Sequence, residues 1–557
     1  MDRLETDARP PVWMRLIASL WTWFAIAAVC AGIQAFEHRF DVTLDGVTYL
    51  DMALAAVRNG PGNLINAMWT PLYPGFIAVW FWLLHPSSAM EAPVAHFCGW
   101  LLFCAVAAAF LLFIRAWTKL AWNSGEDGIS RTVESLFYFS VFLRIFMEPE
   151  FSATFPDLAL APCVFLAAFC CVKAASGASS RYYVLLGLAL AAAYYSKPSG
   201  FVAAVALFAI LFLRPPANNA RAKIGLALLV FLTASLPLVM AVSKAAGELT
   251  TSVSGKLNYL WHVNAFYKYY GWTGQQPAEH GTPVHPPRVI SKEPLVLEFG
   301  GPVGGTYPLW YDPSYWFAGV RVHYNIGQEV AAVRRNLRDY YNTGRHGMIW
   351  AGAFALAFLG GLRSLKGFLG SSYLWILVWP VSTFMLFSAV HLEPRYMAPF
   401  VPLLAVGIYS PLVRRLGSAA NSALLTMSLV MMFSVAAESA GSARNIWVQG
   451  AHYRSRDQLI ADKLIALGVE RGDRIATVGN TFNVYWAHIA GVRVVAQAPD
   501  PDEFRKMDEG RQLELLERLR SLQVKALVAP AGPEDLARDW QELPSKGGEL
   551  YRVLVLR

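Results

Sequence analysis

Three short stretches set carboxylates beside cations or prolines at the edges of apolar runs. FDVTLDGVTYLDMA carries Asp41, Asp45, Tyr49 and Asp51, with Glu37 just ahead of it. MEPEFSATFPDLALAP carries Glu148, Glu150 and Asp157, and HLEPRYMAPF carries His391, Glu393 and Arg395. Arg144 and Lys197 stand at the ends of neighbouring apolar runs, Lys197 in the turn YYSKPSG. A charge in the middle of hydrocarbon costs roughly 3 kcal/mol or more, but little where a span meets water. Such residues therefore belong at a membrane boundary. There a carboxylate can take a proton from a hydroxyl. Arg offers a forked contact to phosphate and Lys a point charge. Apolar and aromatic surface beside them can seat a lipid tail. The set suits attack of a hydroxyl on an anomeric carbon with a lipid phosphate as leaving group.

Each residue also has a plainer reading. Asp41 can face water or cap a helix. Asp45, ahead of a Gly and the helix-like YLDMALAAV, suits an N-cap, and Asp51 suits a solvated helix face. Asp157 after Pro156 is placed to cap the span that follows. Lys197 and Arg395 can snorkel or anchor at the interface.

The elements that must position these residues are mostly spans. The chain has 557 residues, 55% hydrophobic and 15% charged, where an ordinary soluble domain carries about 25% charged. Apolar runs recur near 16–35, 94–114, 133–147, 157–172, 182–196, 199–213, 224–243, 347–362, 371–390, 397–413 and 419–437. The fold expected is an α-helical polytopic membrane domain of about 11 spans with a C-terminal soluble α/β domain. The membrane domain covers 1–437, including loops 36–93 and 244–346, and the soluble domain covers 438–557. The first run lacks a small-residue cleavage site and reads as a retained helix. Segment 71–84 is short, opens on proline and is rich in aromatics, which suits a helix lying in the interface.

Sidedness follows from the basic residues of the short loops. Arg3, Arg9, Arg15, Arg115, Lys119, Arg131, Lys173, Arg181, Arg214, Arg221, Lys223, Arg363, Lys366, Arg414 and Arg415 fall on one side. Arg39, Arg58, Lys197 and Arg395 fall on the other. The rule that positive loops stay inside puts the N-terminus in the cytoplasm. The acidic stretches, the long loop and the tail then lie outside a plasma or bacterial inner membrane. The tail reads as strands at 474–479, 492–496, 526–529 and 550–556, with a helix through Tyr485 and Trp486 and a charged amphipathic helix over 502–522. That alternation suggests a mostly parallel sheet.

Other chemistries are set aside. Net charge is +8, but the basic residues orient spans, and nucleic acid is not an expected partner. The six cysteines all lie in or beside apolar runs, with no metal spacing and no disulfide framework for the loops or tail. No G-x-G-x-x-G or P-loop occurs, and the sequence names no cofactor.

The motif order is similar to that of the GT-C glycosyltransferases, the superfamily of protein O-mannosyltransferases and lipid A aminoarabinose transferases. DGVTYLDMALAAVRNG followed by INAMWTPLYPGFIAVWFWLL resembles their first outer loop. ATFPDLALAP resembles their acidic turn, YYSKPSG their lysine motif, and HLEPRYMAPFVPLLAVGIY their E-x-R-Y turn. The resemblance covers roughly 15–215 and 385–410. It implies a polyprenyl-phosphate sugar donor and a first-loop carboxylate as catalytic base. Asp45 is the first choice, Asp41 the second, and Asp157 a further catalytic candidate. Lys197 and Arg395 would hold the phosphate, with Tyr49, Arg144, His391 and Glu393 in the substrate site. Where the family has Asp-Glu, this chain has Asp45-Gly46, so no second carboxylate is expected there. The acceptor, whether lipid, glycan or protein, is not indicated. The competing reading is a transporter or flippase of lipid-linked sugars. That would place polar residues near the midplane of internally repeated halves, and no repeat is visible. A receptor that merely displays the tail would not need acidic residues in three separate loops.

Overall fold

The computed structural model describes residues 19–121, 128–147, 156–177, 179–217, 219–265, 287–301, 304–308, 321–343, 373–450, 453–479, 484–530, 540–543 and 551–556, with a few isolated positions between them. Glu148 and Glu150, and most of the expected span 347–362, lie outside these residues.

Apolar runs become helices because a bilayer leaves backbone polar groups no partner but the helix itself. The first is α1 (Leu20–Glu37), followed by α2 (Leu44–Asn59) and α3 (Leu72–Leu84) in the first loop. Then come α4 (Glu91–Ala121), α5 (Gly128–Phe146), α6 (Asp157–Ala175), α7 (Arg181–Ser196), α8 (Ser199–Leu213) and α9 (Arg221–Ala246). The long loop contributes α10 (Ser254–His262), strands β1 (Arg288–Lys292) and β2 (Leu295–Glu298), and α11 (Ile326–Asn342). The chain then forms α12 (Trp375–Val390), the single turn α13 (Pro394–Met397), α14 (Val401–Leu416) and α15 (Asn421–Gln449).

Among the described residues, five stretches are long and apolar enough to cross a membrane: Leu20–Glu37, Ser88–Leu120, Asp157–Ala175, Arg221–Ala246 and Val401–Gln449. Leu72–Leu84, Ser199–Leu213 and Trp375–Val390 are apolar but shorter. A large core of Phe, Leu and Ala side chains joins α1, α4–α9, α12, α14 and α15, with Phe110, Phe142 and Phe165 in ring contact at its centre.

The tail contributes α16 (Arg456–Ala466), β3 (Arg474–Val478), α17 (Tyr485–Ala490), β4 (Arg493–Ala498), α18 (Pro501–Arg505), α19 (Glu509–Ser521), β5 (Val524–Pro530), β6 (Gln541–Glu542) and β7 (Tyr551–Val555). The charged helix expected over 502–522 is two helices, because Asp508 caps a fresh start at Glu509. Among the described residues the sheet has seven strands, in the order β1-β2-β4-β3-β5-β7-β6. Only β4-β3-β5 pair in parallel; β1-β2, β2-β4, β5-β7 and β6-β7 are antiparallel. The sheet is therefore mixed, correcting the mostly parallel expectation. One edge is donated by the long loop, through Leu297 and Glu298 against Gln497 and Ala496. That strand pairing could not be read locally, since its partners are about 200 residues apart.

One face of the sheet shares a core with the first loop. Leu50, Tyr73 and Ile77 of α2 and α3 pack in the same cluster as Ile460, Trp486, Val494 and Val528.

Candidate functional site

Three loops converge beside the N-terminal turn of α2. Thr43 is the N-cap of α2, its hydroxyl accepting from the Gly46 amide at 3.1 Å. The cap is therefore Thr43 and not Asp45, whose carboxylate is left for other work in the first turn. Tyr49, one turn on, is buried edge-on to Trp69 and Tyr73 at 5.5 and 5.1 Å.

Asp157 opens α6 and does not cap it: the cap position is Pro156, with no side-chain bond. Its side chain is buried, and Oδ1 accepts from Lys197 Nζ at 2.5 Å. The other oxygen, Oδ2, is buried without a hydrogen-bond partner among the described residues. Lys197 lies in the turn between α7 and α8. A Cβ at Gly200 would meet the Ala193 carbonyl at 2.3 Å, so only glycine lets the two helices close this tightly. The turn is pinned on both sides. Ser196 Oγ donates to the Ala159 carbonyl at 3.1 Å, and Thr70 Oγ1 donates to the Ser196 carbonyl at 2.7 Å.

The third loop joins α12 to α13. His391 Nε2 meets Glu393 Oε1 at 2.8 Å, and Arg395 Nε donates to Glu393 Oε2. Tyr396 stands between the two cations, with Lys197 Nζ 3.8 Å and Arg395 Cζ 5.2 Å from its ring centroid. From the long loop, the His262 ring stacks flat on His391 at 3.7 Å.

The electrostatics tie these groups into one cluster. Burial raises the Asp45 carboxyl pKa; Arg395 and Lys197 oppose that shift, while Glu393 and Asp157 add to it. Burial lowers the Lys197 pKa against the pull of Asp157. Burial alone would raise Glu393, but the His391 hydrogen bond and the Arg395 charge hold it at about 2. Burial and the neighbouring His391 push His262 down to about 4. The cluster therefore holds one carboxyl shifted toward neutral pH and two cations that each already face a carboxylate.

Asp45, Tyr49, Asp157, Lys197, His391, Glu393 and Arg395 are thus brought together. Asp41 is not: its side chain is 68% exposed and pairs with His38 at 2.7 Å. Arg144 pairs with Glu438 of α15 at 3.8 Å. Asp51 is not a solvated helix face. Its side chain is buried against His488 of α17 at 2.9 Å. Tyr396 and His262 were missed by sequence reasoning. Tyr396 sits in the quoted EPRYMAPF stretch, where an aromatic beside Arg was a usable signal, whereas nothing local marks His262.

No protein-family model matches this chain, and no curated protein matches it. Among solved structures, it is similar to ArnT from Cupriavidus metallidurans bound to undecaprenyl phosphate, at 14% identity and a TM-score of 0.48, over 96% of this chain and 97% of that one. It is also similar to the archaeal oligosaccharyltransferase AglB from Archaeoglobus fulgidus, in complex with an inhibitory peptide and a dolichol-phosphate. That match has 11% identity and a TM-score of 0.46, over 91% of this chain and 69% of that one.

Proposed function

We propose that this chain is a membrane glycosyltransferase of GT-C type, moving a sugar from a polyprenyl-phosphate donor to an acceptor hydroxyl on the outer face of the cytoplasmic membrane. The observation that carries the reading is the meeting of Asp45, Asp157, Lys197, Glu393 and Arg395 from separate loops. Asp45 is the base. Its raised pKa moves it toward the operating pH, where a base both exists ionised and holds a proton well. It takes the acceptor hydroxyl proton as the new C1–O bond forms and the bond from C1 to the phosphate oxygen breaks. Lys197 and Arg395 receive the charge that grows on the departing phosphate. The incoming phosphate competes with Asp157 for Lys197. A guanidinium has five N–H donors, enough to serve Glu393 and a phosphate together. The loop 244–346 and the tail then lie outside the membrane, as the Lys/Arg bias of the short loops supports.

The test uses the purified full chain in lipid nanodiscs with a panel of polyprenyl-phosphate sugars. Release of polyprenyl phosphate is expected from one of them. Donor that crosses between leaflets of a vesicle without being consumed would instead identify a flippase and end the transferase reading. A reporter fused after Arg557 that is active only in the cytoplasm would end the topology.

A further inference from the structure

A cavity lies between the first loop and the tail, bordered by Phe40, Asp41, Val42, Arg456, Asp457, Ile460, Trp486 and Tyr551. We propose that it holds one sugar residue of the acceptor, which makes the acceptor a glycan; the word acceptor here rests on the transferase reading above.

Its volume is about 260 Å³. Sites for drug-sized ligands run about 300–1,000 Å³, so this one suits a single small ring. The lining offers both halves of hydroxyl recognition. Arg456 supplies only donors, and the carboxylates of Asp41 and Asp457 supply acceptors. Arg456 is held with its Cζ 4.5 Å from the Tyr551 ring centroid, and its Nε is buried without a hydrogen-bond partner among the described residues. Arg456 and Asp457 open α16 behind the Ser455 cap, which fixes their direction. Aromatic surface from Phe40, Trp486 and Tyr551 borders the polar groups. Asp41 is shared with His38 at 2.7 Å and Asp457 neighbours Arg456, so the lining has no excess positive charge to hold an anion and suits a neutral or amino sugar.

The cavity and the transfer cluster share the first loop. Asp41 and Asp45 are four residues apart, so their backbones are separated by at most about 14 Å even when fully extended. A saccharide anchored in the cavity is therefore held against the same loop that carries Asp45.

The experiment titrates the full chain, without donor, with methyl glycosides of neutral hexoses and of glucosamine, read by saturation-transfer NMR. Binding of at least one glycoside is expected. Arg456→Gln and the near-isosteric Asp457→Asn should each weaken it roughly tenfold, as removal of a charged hydrogen-bond partner does. The unfolding midpoint of each variant reports whether the fold has survived. Wild-type protein that binds none of the glycosides up to their solubility overturns the proposal, as does unchanged binding in both variants. Because no donor is present, this titration reads the cavity alone: glycoside binding together with no polyprenyl-phosphate release in the donor panel above would sink the transferase reading and leave the cavity assignment standing.

Discussion

Among its described residues the molecule buries two charged networks, and both carry one more carboxylate than cation. In the transfer cluster, Asp45, Asp157 and Glu393 face Lys197 and Arg395. In the other, Asp51 and Glu91 face His488, at 2.9 and 2.5 Å, with all three side chains under a tenth exposed. The difference lies in how the surplus is handled. At His488 both ring nitrogens meet a carboxylate, and burial is outweighed, so the imidazole pKa is driven up to about 10. Thr306 of the long loop then donates twice to Asp51, from its amide at 2.6 Å and its hydroxyl at 3.0 Å. Asp51 and Glu91 both come from the first loop, Thr306 from the long loop and His488 from the tail, so the network clasps all three together. In the cluster His391 bonds Glu393, but among the described residues no donor like Thr306 takes up the surplus on Asp45 and Asp157. It falls on Asp45, whose proton affinity rises, and on Asp157, one of whose oxygens is left unpartnered. A buried network that is satisfied holds structure, and one left unbalanced is ready to exchange protons and ligands.

Breaking the clasp should give the largest effect. His488→Ala leaves two carboxylates buried without their cation, a loss on the order of 3–5 kcal/mol for buried pairs. The unfolding midpoint of the detergent-solubilised protein should fall well below wild type. A midpoint that stays put would mean that the network is not what holds the tail.

Asp45→Asn should do the reverse. Turnover should fall by on the order of 10²-fold, about 2.7 kcal/mol of barrier, with donor binding and unfolding nearly unchanged. Full activity in this variant would remove Asp45 as base and move the role to Asp157.

Arg395→Lys sharpens the contrast further. It keeps the charge but loses the fork shared between Glu393 and the phosphate, so transfer should drop by roughly tenfold. If lysine serves equally well, as measured by kcat/KM, the forked contact is not used.

The smallest effect is a pH slope. The folded His488 value of about 10 lies above its ordinary 6.5. The stability it contributes is full below about 6.5 and is lost as pH rises through about 10. Wild type should therefore lose stability over that window, while His488→Gln, still facing Asp51, Glu91, Thr306 and Tyr485, should show a flatter profile. Parallel profiles would show that other groups govern the alkaline side.

Read alone, the sequence determined what depends on neighbours along the chain. Apolar length sets helices such as Arg221–Ala246 within a few residues of the run 224–243, because backbone in hydrocarbon has no other solution. Strands β3, β4, β5 and β7 follow from short β-branched runs between turns. Asp45, Lys197 and Arg395 were legible because charge at the edge of an apolar run is itself a local signal. Tertiary structure alone decided what depends on distant partners. Asp51 is buried because His488 arrives from 437 residues away, and β2 joins the sheet because β4 offers it an open edge. Asp41 and Asp45 look alike in sequence, four residues apart. Asp41 is left exposed before the helix begins, whereas Thr43 starts α2 and its first turn carries Asp45 toward the turns that hold Lys197 and Arg395. Helix propensity can mark that turn, but only the packing of three loops decides what it faces.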